Sequence, residues 1–400
     1  MYSKNEVLEF VKEEDVKFIK LAFVDVFGKQ KNVSITDNEL KRAFQTGVAI
    51  DASAIKGFGD EAKSDLFLHP DPSTLSILPW RPEHGRVVRM FCDITYPDGT
   101  PFECDSRLIL KNAVNAAEEK GLSFAFGSEL EFYLFKLDEN GNRTNETYDN
   151  AGYMDVAPED KGEKIRREIC LTLEQMGIYP ESSHHEEGAG QNEIDFRYSD
   201  ALTAADDAIT FRQVVSAVAN RNGLYADFSP KPIEYSAGNG FHINFSVKSK
   251  SGEVLYNAIA GILNRIKDCT VFFNNSENSY KRLGVNKAPI FIAWSKENRS
   301  ELIRIPAAEG DYKRAELRSP DPLANPYIAF ALIIYSAIDG ISAKEHLPEP
   351  ADFNMYKADA ETLKKYDKLP ATLSDSKKKA ATSDFIKTHL PKAMISAYTD

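Results

Sequence analysis

Four short segments of this chain carry charged or polar side chains at every second position. Such a pattern fits a strand with one polar face and one apolar face, because alternate side chains on a strand point opposite ways. In Gly127-Ser-Glu-Leu-Glu-Phe-Tyr-Leu-Phe135, Glu129 and Glu131 share a face, and Leu130, Phe132 and Leu134 take the other. In Asn192-Glu-Ile-Asp-Phe-Arg-Tyr198, Glu193, Asp195 and Arg197 oppose Ile194 and Phe196. Phe241-His-Ile-Asn-Phe-Ser246 aligns His242, Asn244 and Ser246, and Arg314-Ala-Glu-Leu-Arg318 aligns Arg314, Glu316 and Arg318. A water-facing antiparallel sheet alternates in the same way, and any one strand is open to that reading. The combination points elsewhere. Carboxylates two apart on a strand repel each other unless a cation lies between them.

Carboxylates with a single histidine are hard, oxygen-rich ligands, suited to Mg²⁺ or Mn²⁺ rather than to a structural zinc. Neighbouring arginines suit planar anions such as carboxylate and phosphate. Metal and arginine together imply phosphoryl or acyl-phosphate chemistry. The chain has no G-x-x-x-x-G-K-[ST] loop and no dinucleotide glycine fingerprint, so any nucleotide is held another way. His184 and His185, adjacent on an expected strand, point to opposite faces and read as a surface or satisfied pair. Glu186 is the stronger ligand candidate, because it precedes the Gly188-Ala-Gly190 turn that leads back to Glu193. His69, His84, His346 and His389 read as structural or exposed.

The rest of the chain reads as an α+β protein in two parts. Helix at 4–12, strand from Val16 to Val26, strand from Asn32 to Ile35, and strands at Leu75 to Leu78 and Val87 to Ile94 form a small first unit. Thr36 with Glu39 predicts a capping box, and Gly47 predicts the end of that helix. Pro97-Asp98-Gly99 starts a turn and Asp105 caps the next helix, so the division falls at residues 1–100 and 101–400. Helices are expected at about 162–176, 204–221, 253–267 and 326–339. A formal net charge of −12 argues against a nucleic-acid partner, which calls for a basic surface. The longest apolar run, Tyr327 to Ile338, is too short to span a bilayer and reads as a buried helix. With no apolar signal core behind Met1 and four scattered cysteines lacking a C-x-x-C pair, the expected location is the cytoplasm.

In family order, the chain resembles the type I glutamine synthetases. The matching motifs are Gly-x-Glu-x-Glu at 127–131, His-His-Glu at 184–186, Gly-Gln-Asn-Glu-Ile-Asp at 190–195, Pro-Lys-Pro at 230–232 and Gly-Asn-Gly-Phe-His at 238–242. They continue with Asn-Ser-Tyr-Lys-Arg-Leu at 278–283, Asn-Arg-Ser at 298–300, Arg304-Ile-Pro and the run from Arg314 to Tyr327. Asp51-Ala-Ser-Ala-Ile and Leu78-Pro-Trp correspond in the first unit. The resemblance implies a β-grasp domain, then a catalytic domain built on a curved antiparallel sheet. It also implies a homo-oligomeric ring of six, stacked or not into twelve, with active sites between subunits. The implied reaction is ATP-dependent: the glutamate γ-carboxylate is phosphorylated, and ammonia attacks the acyl phosphate.

Carried over residue by residue, the resemblance implies two divalent ions, Mg²⁺ or Mn²⁺. Glu131, Glu186 and Glu193 would hold one, and Glu129, His242 and Glu316 the other. Arg282 and Arg318 would clamp glutamate, helped by the Gly238 backbone. Arg299 and Arg304 would take phosphates, and Glu181, Tyr198, Asn244, Ser246 and Arg314 would line the nucleotide site. Asp51 of a neighbouring subunit and Tyr153 would form part of the ammonium pocket, with Arg299 and Arg318 also acting in catalysis.

The sequence departs from the family pattern in four places. The flap loop reads Arg282-Leu-Gly-Val-Asn-Lys-Ala-Pro289, with Lys287 where the family has a glutamate that takes a proton from the nitrogen. Glu277 is a candidate substitute. Ala237 replaces an asparagine expected to contact glutamate, and Asp51-Ala-Ser-Ala54 has lost one hydroxyl. The last helical segment, which links two rings in the family, has no counterpart, so stacking is implied less directly than the ring. Three functions follow: glutamine synthesis, γ-glutamyl ligation of an organic amine such as a polyamine or ethanolamine, or a regulatory paralogue without turnover. The complete set of mutually repelling carboxylates and arginines argues against the last.

Overall fold

The computed structural model describes residues 2–59, 62–80, 85–250, 252–307 and 313–400; His84 lies outside them. The first sheet comprises β1 (Val16–Val24), β2 (Gln30–Thr36), β3 (Val48–Asp51), β4 (Asp65–Pro70), β5 (Ser76–Ile77) and β6 (Arg86–Thr95). Their order is β2-β1-β6-β4-β3, with β5 against β6. β1 and β6 run parallel, and the other pairs are antiparallel. This is a β-grasp arrangement, and the helix Lys4–Glu13 buries Val7 and Val11.

The second sheet comprises β7 (Leu122–Leu137), β8 (Arg143–Thr147), β9 (Pro180–His185), β10 (Gln191–Phe196), β11 (Ser199–Asp200) and β12 (Leu224–Asp227). It continues with β13 (Phe241–Ser249), β14 (Trp294–Lys296), β15 (Ile303–Ile305) and β16 (Ala315–Leu317). The order is β14-β15-β16-β13-β7-β10-β9, and β8, β11 and β12 also pair with β7. β7 is long enough to change partners along its length: β13 spans its first half, and β12 and β8 take its end. A strand that trades neighbours in this way curls the sheet.

The apolar face of each strand fills the core. Leu130, Phe132, Leu134, Ile194, Phe196, Phe241, Ile243 and Phe245 are all buried. The helix Pro326–Ser342 lies against this layer and stacks Phe330 on Phe126 with ring centres 4.3 Å apart. It packs closely on the helix Leu255–Phe273, where Gly261 and Gly340 meet; a Cβ on Gly261 would stand 2.2 Å from the Ser336 carbonyl oxygen. Among the described residues no helix is long and apolar enough to cross a membrane.

Most expected elements are present, some with shifted ends. The helix expected to end near 267 continues to Phe273, and the one expected from 204 starts at Ala201, where Asp200 accepts from the Leu202 and Thr203 amides. The capping box at Thr36 does not form. Residues Asp37–Glu39 make a 3₁₀ turn with no side-chain cap, and Glu39 pairs with Arg42 instead (Nε–Oε2 2.6 Å). The Lys-rich stretch from about 375 is helical.

A buried cation, Arg107, ties the two sheets together alongside Arg89, which donates to Thr210 at 2.6 Å. Arg107 donates to Asp71 and Asp93 of the first sheet's unit (2.9 and 3.0 Å) and, through Nε and Nη2, to both oxygens of Asp206 (3.2 and 3.1 Å). Tyr327 donates to the same Asp206 at 2.5 Å. Burial opposes the charge on Arg107, but Asp206, Tyr327 and Asp93 together outweigh it and raise the pKa. Removing this cation leaves buried carboxylates uncompensated. Arg107→Leu is therefore expected to lower the unfolding free energy by about 3–5 kcal/mol, read by urea denaturation; a change under about 1 kcal/mol would show the clamp to be idle.

Candidate active site

Strand register sets the site. β10 pairs with β7 so that Glu193 lies opposite Glu131 and Asp195 opposite Glu129. β13 on the other edge places His242 opposite Glu129, and β9 places His184 opposite Glu193. Further along, Glu316 of β16 sits between Asn244 and Arg304. Carboxylates directly opposite one another in a sheet destabilise it. Here two such pairs lie side by side.

Two cavities open on this polar face and adjoin at Glu129, Asp195 and Arg314. One is lined by Glu129, Glu131, Tyr153, Glu186, Glu193, Gly238, His242, Arg282, Arg299, Arg304 and Arg318, with Lys287. The other is lined by Glu181, Tyr198, Asn244, Ser246 and Arg314. Glu316 is fully buried behind the first. Asp51 is brought to neither cavity of its own chain. It is exposed on the first sheet, where Ser53 donates to it.

Electrostatics fit the cation expectation. Glu193 is pushed well above the usual carboxylate range by burial, then by Asp195 and Glu131. Burial likewise raises Glu131 and Glu186, and raises Asp195 to about 7 with help from Glu129. His242 is pushed down to about 4 by burial and by Arg318, so its ring is neutral and free to ligate. One ligand atom from each of Glu129, His242 and Glu316 lies within 4.8 Å of the others. The same holds for Glu131, Glu193 and His242, and for His184, Glu186 and Glu193. Glu193 thus links Glu131 to Glu186. Asp195 Oδ1 is buried with no hydrogen-bond partner. Hard oxygen donors, a neutral imidazole and an orphaned carboxylate oxygen fit divalent cations.

Glu131 is held in place by hydrogen bonds to Oε2 from the Gly240 amide (2.8 Å) and Gln191 Nε2 (3.1 Å). Gly240 admits no side chain, since a Cβ there would lie 2.5 Å from His242 Nε2; one on Gly238 would lie 2.8 Å from Arg282 Cγ. The arginines are placed just as firmly. Glu316 accepts from Arg304 Nε and Arg318 Nη1, both at 2.5 Å, while buried Arg318 Nε has no partner. Arg282 donates to the carbonyls of Ser319 (2.7 Å) and Arg318 (3.2 Å). Arg314 Nε donates to Asn244 Oδ1 (3.0 Å), and Asn244 Nδ2 donates to Glu129 Oε1 (2.7 Å), so the second cavity is wired to the first.

Some contributors were not legible in the motifs. His185 is a satisfied core residue, its Nε2 2.9 Å from Asp149 Oδ1. His184, by contrast, stands in the cavity wall, with Nε2 3.1 Å from Glu193 Oε1. The strand alternation that turns His185 inward turns His184 outward, and register with β10 was the missing signal. Glu277 begins the helix Glu277–Arg282 and does not line either cavity. Asp195, whose partner Ser182 donates to Oδ2 at 2.5 Å, joins the acidic group.

With this geometry in view, the comparisons agree. The family model described as the glutamine synthetase β-grasp domain matches residues 15–97, and the glutamine synthetase catalytic domain matches residues 103–400. A glutamine synthetase of Clostridium saccharobutylicum is 44% identical over 391 residues, covering 94% of this chain and 88% of its own. One of Methanosarcina mazei is 44% identical over 412 residues, covering 99% and 92%. Among solved structures, a GmaS/ADP complex superposes with a TM-score of 0.88 at 27% identity, covering 98% of this chain and 93% of that one. Plasmodium falciparum glutamine synthetase has the same fold, with a TM-score of 0.87, 24% identity and coverage of 100% and 95%.

Bound cations must displace protons from these groups. Asp195 shows the sign: its folded pKa, about 7, lies above its unfolded value, so the stability it contributes is present below about pH 4 and lost as pH rises to about 7. The rise in melting temperature on adding Mn²⁺ should therefore grow between about pH 5.5 and 7.5. A rise independent of pH would mean that these carboxylates take no part.

Proposed function

This chain belongs to the glutamine synthetase family, and we propose that the two adjoining cavities are where it joins ammonia to glutamate. It is an ATP-dependent glutamate–ammonia ligase, giving glutamine, ADP and phosphate through γ-glutamyl phosphate. Relatives at 42–44% identity favour ammonia over an organic amine as the nucleophile. The observation that carries the site assignment is that one cavity wall joins paired carboxylates and a neutral histidine to five arginines.

In this reading two Mg²⁺ or Mn²⁺ ions are held by Glu131, Glu186 and Glu193, and by Glu129, His242 and Glu316. Bound there, they would neutralise phosphate charge and polarise the transferring phosphoryl group. The protein does the rest by placement. The second cavity takes the nucleotide, with Glu181, Tyr198, Asn244, Ser246 and Arg314 around it. Arg299 and Arg304 stabilise the phosphates as charge shifts towards the leaving group. Arg318, with an unsatisfied Nε, and Arg282 grip the glutamate carboxylates from beside the Gly238 backbone. Ala237 offers no side-chain amide there; its carbonyl accepts from Tyr133 Oη at 2.7 Å.

Asp51 and Tyr153 belong to the ammonium side. Asp51 reaches a site only if a neighbouring subunit brings it, so we assign a homo-oligomer, a ring of six with or without stacking into twelve. Exposed apolar residues beside the cavity, Tyr153, Met154 and Val156 at 50, 58 and 73% exposure, support such a neighbour. We draw the domain division at 1–100 and 101–400. Four free cysteines support a reducing compartment, and we assign the cytoplasm.

Purified protein with ATP, Mg²⁺ or Mn²⁺, glutamate and ammonium should give glutamine by mass spectrometry. Glu129→Ala should lower kcat at least about a thousandfold. Product only with ethanolamine or putrescine would contradict the nucleophile, and undiminished turnover in Glu129→Ala would contradict the metal assignment.

A further inference from the structure

Glu187 and Asp195 are the carboxylates in the acidic cavity wall that neither metal set uses, and of the two Glu187 faces the loop that carries Lys287. Its amide donates to Glu186 Oε2 at 2.9 Å, which ties its position to the carboxylate row. Its own carboxylate accepts a hydrogen bond from Lys287 Nζ, one hundred residues further along. The same Nζ stands 5.9 Å from the centre of the Tyr153 ring. An ammonium group between a carboxylate and an aromatic face is in the surroundings that favour a small cation.

Stability does not explain this contact. Lys287 and Glu187 are 57% and 37% exposed, and a surface pair of that kind contributes little to stability. Yet Asn286 and Lys287 both adopt left-handed backbone, with φ of +46° and +66°. Asparagine tolerates that region, but a lysine there carries backbone strain. The turn is held by Asn286 Nδ2 donating to the Ser236 carbonyl (2.9 Å) and by the Gly284 amide donating to the Ala288 carbonyl (2.9 Å). Strain kept where the ion pair returns little marks a functional placement.

We propose that Glu187 and the face of Tyr153 recognise the substrate ammonium ion, and that Lys287 Nζ fills that place until ammonium displaces it. The inference rests on the glutamine-synthesis reading above and adds a binding residue to it. Lysine and ammonium carry the same charge and the same kind of N–H donor, so they compete for Glu187 and do not bind it together. The lysine at the flap therefore acts as an internal competitor, neutralised by Glu187, rather than as a charge that bars ammonium.

Steady-state kinetics on the full-length protein test this, with ammonium varied at saturating glutamate and ATP. Glu187→Gln should raise the KM for ammonium about tenfold or more, with the KM for glutamate and ATP within about twofold. Lys287→Ala should move the ammonium KM the other way, downward. An unchanged ammonium KM in Glu187→Gln, a parallel rise in all three KM values, or a rise in Lys287→Ala would overturn the proposal. Failure of the parent protein to make glutamine is a different outcome and would overturn the functional reading itself.

Discussion

Glu193 facing Glu131, beside Asp195 facing Glu129, is the arrangement on which the rest of this structure depends. Two like-charged pairs on one face of the same ladder, separated only by the Ile194–Leu130 rung, oppose the pairing that forms the sheet. The apolar reverse of the same strands fixes the register nonetheless, because slipping one residue would turn Ile194 and Phe196 outward and Glu193 and Asp195 into the core. The hydrophobic layer beneath Phe330 thus forces the carboxylates together. Without a cation they respond by holding protons, as the raised pKa values of Glu131, Glu193 and Asp195 show.

The remainder of the cavity answers the same problem with positive charge of known direction. Glu316 is gripped by Arg304 and Arg318, and burial keeps His242 neutral instead of adding a proton. Arg318 keeps a donor in reserve. One buried carboxylate, Glu316, thus lies between the carboxylate row and both guanidiniums. Arg107 does the corresponding work between the sheets, seating the β-grasp unit on the catalytic one through Asp71, Asp93 and Asp206.

Much of this was legible in the sequence because it is periodic. A period of two, with Leu130, Phe132 and Ile194 set against Glu129, Glu131 and Glu193, marks both the strand and its functional face. What was not legible depends on register or on short elements. β14 and β15 are three residues each, too short for any period, and yet β15 carries Arg304 beside Glu316. His184 enters the wall only because β9 pairs with β10. The pairing of Glu187 with Lys287 joins loops a hundred residues apart, and the Thr36 cap was lost to a competing ion pair between Glu39 and Arg42. Asp51 lies exposed on the first sheet, away from both cavities of its own chain, which its motif did not show.

Burial and mutual repulsion make the metal-free carboxylate row costly to the fold, a cost that a bound cation would relieve. The direct test is the melting temperature of Glu193→Gln against the parent protein in EDTA and in Mn²⁺. The variant is expected to melt higher than the parent in EDTA and to gain less from Mn²⁺. A variant that melts lower in EDTA would mean that Glu193 stabilises the metal-free sheet, and would contradict the claim.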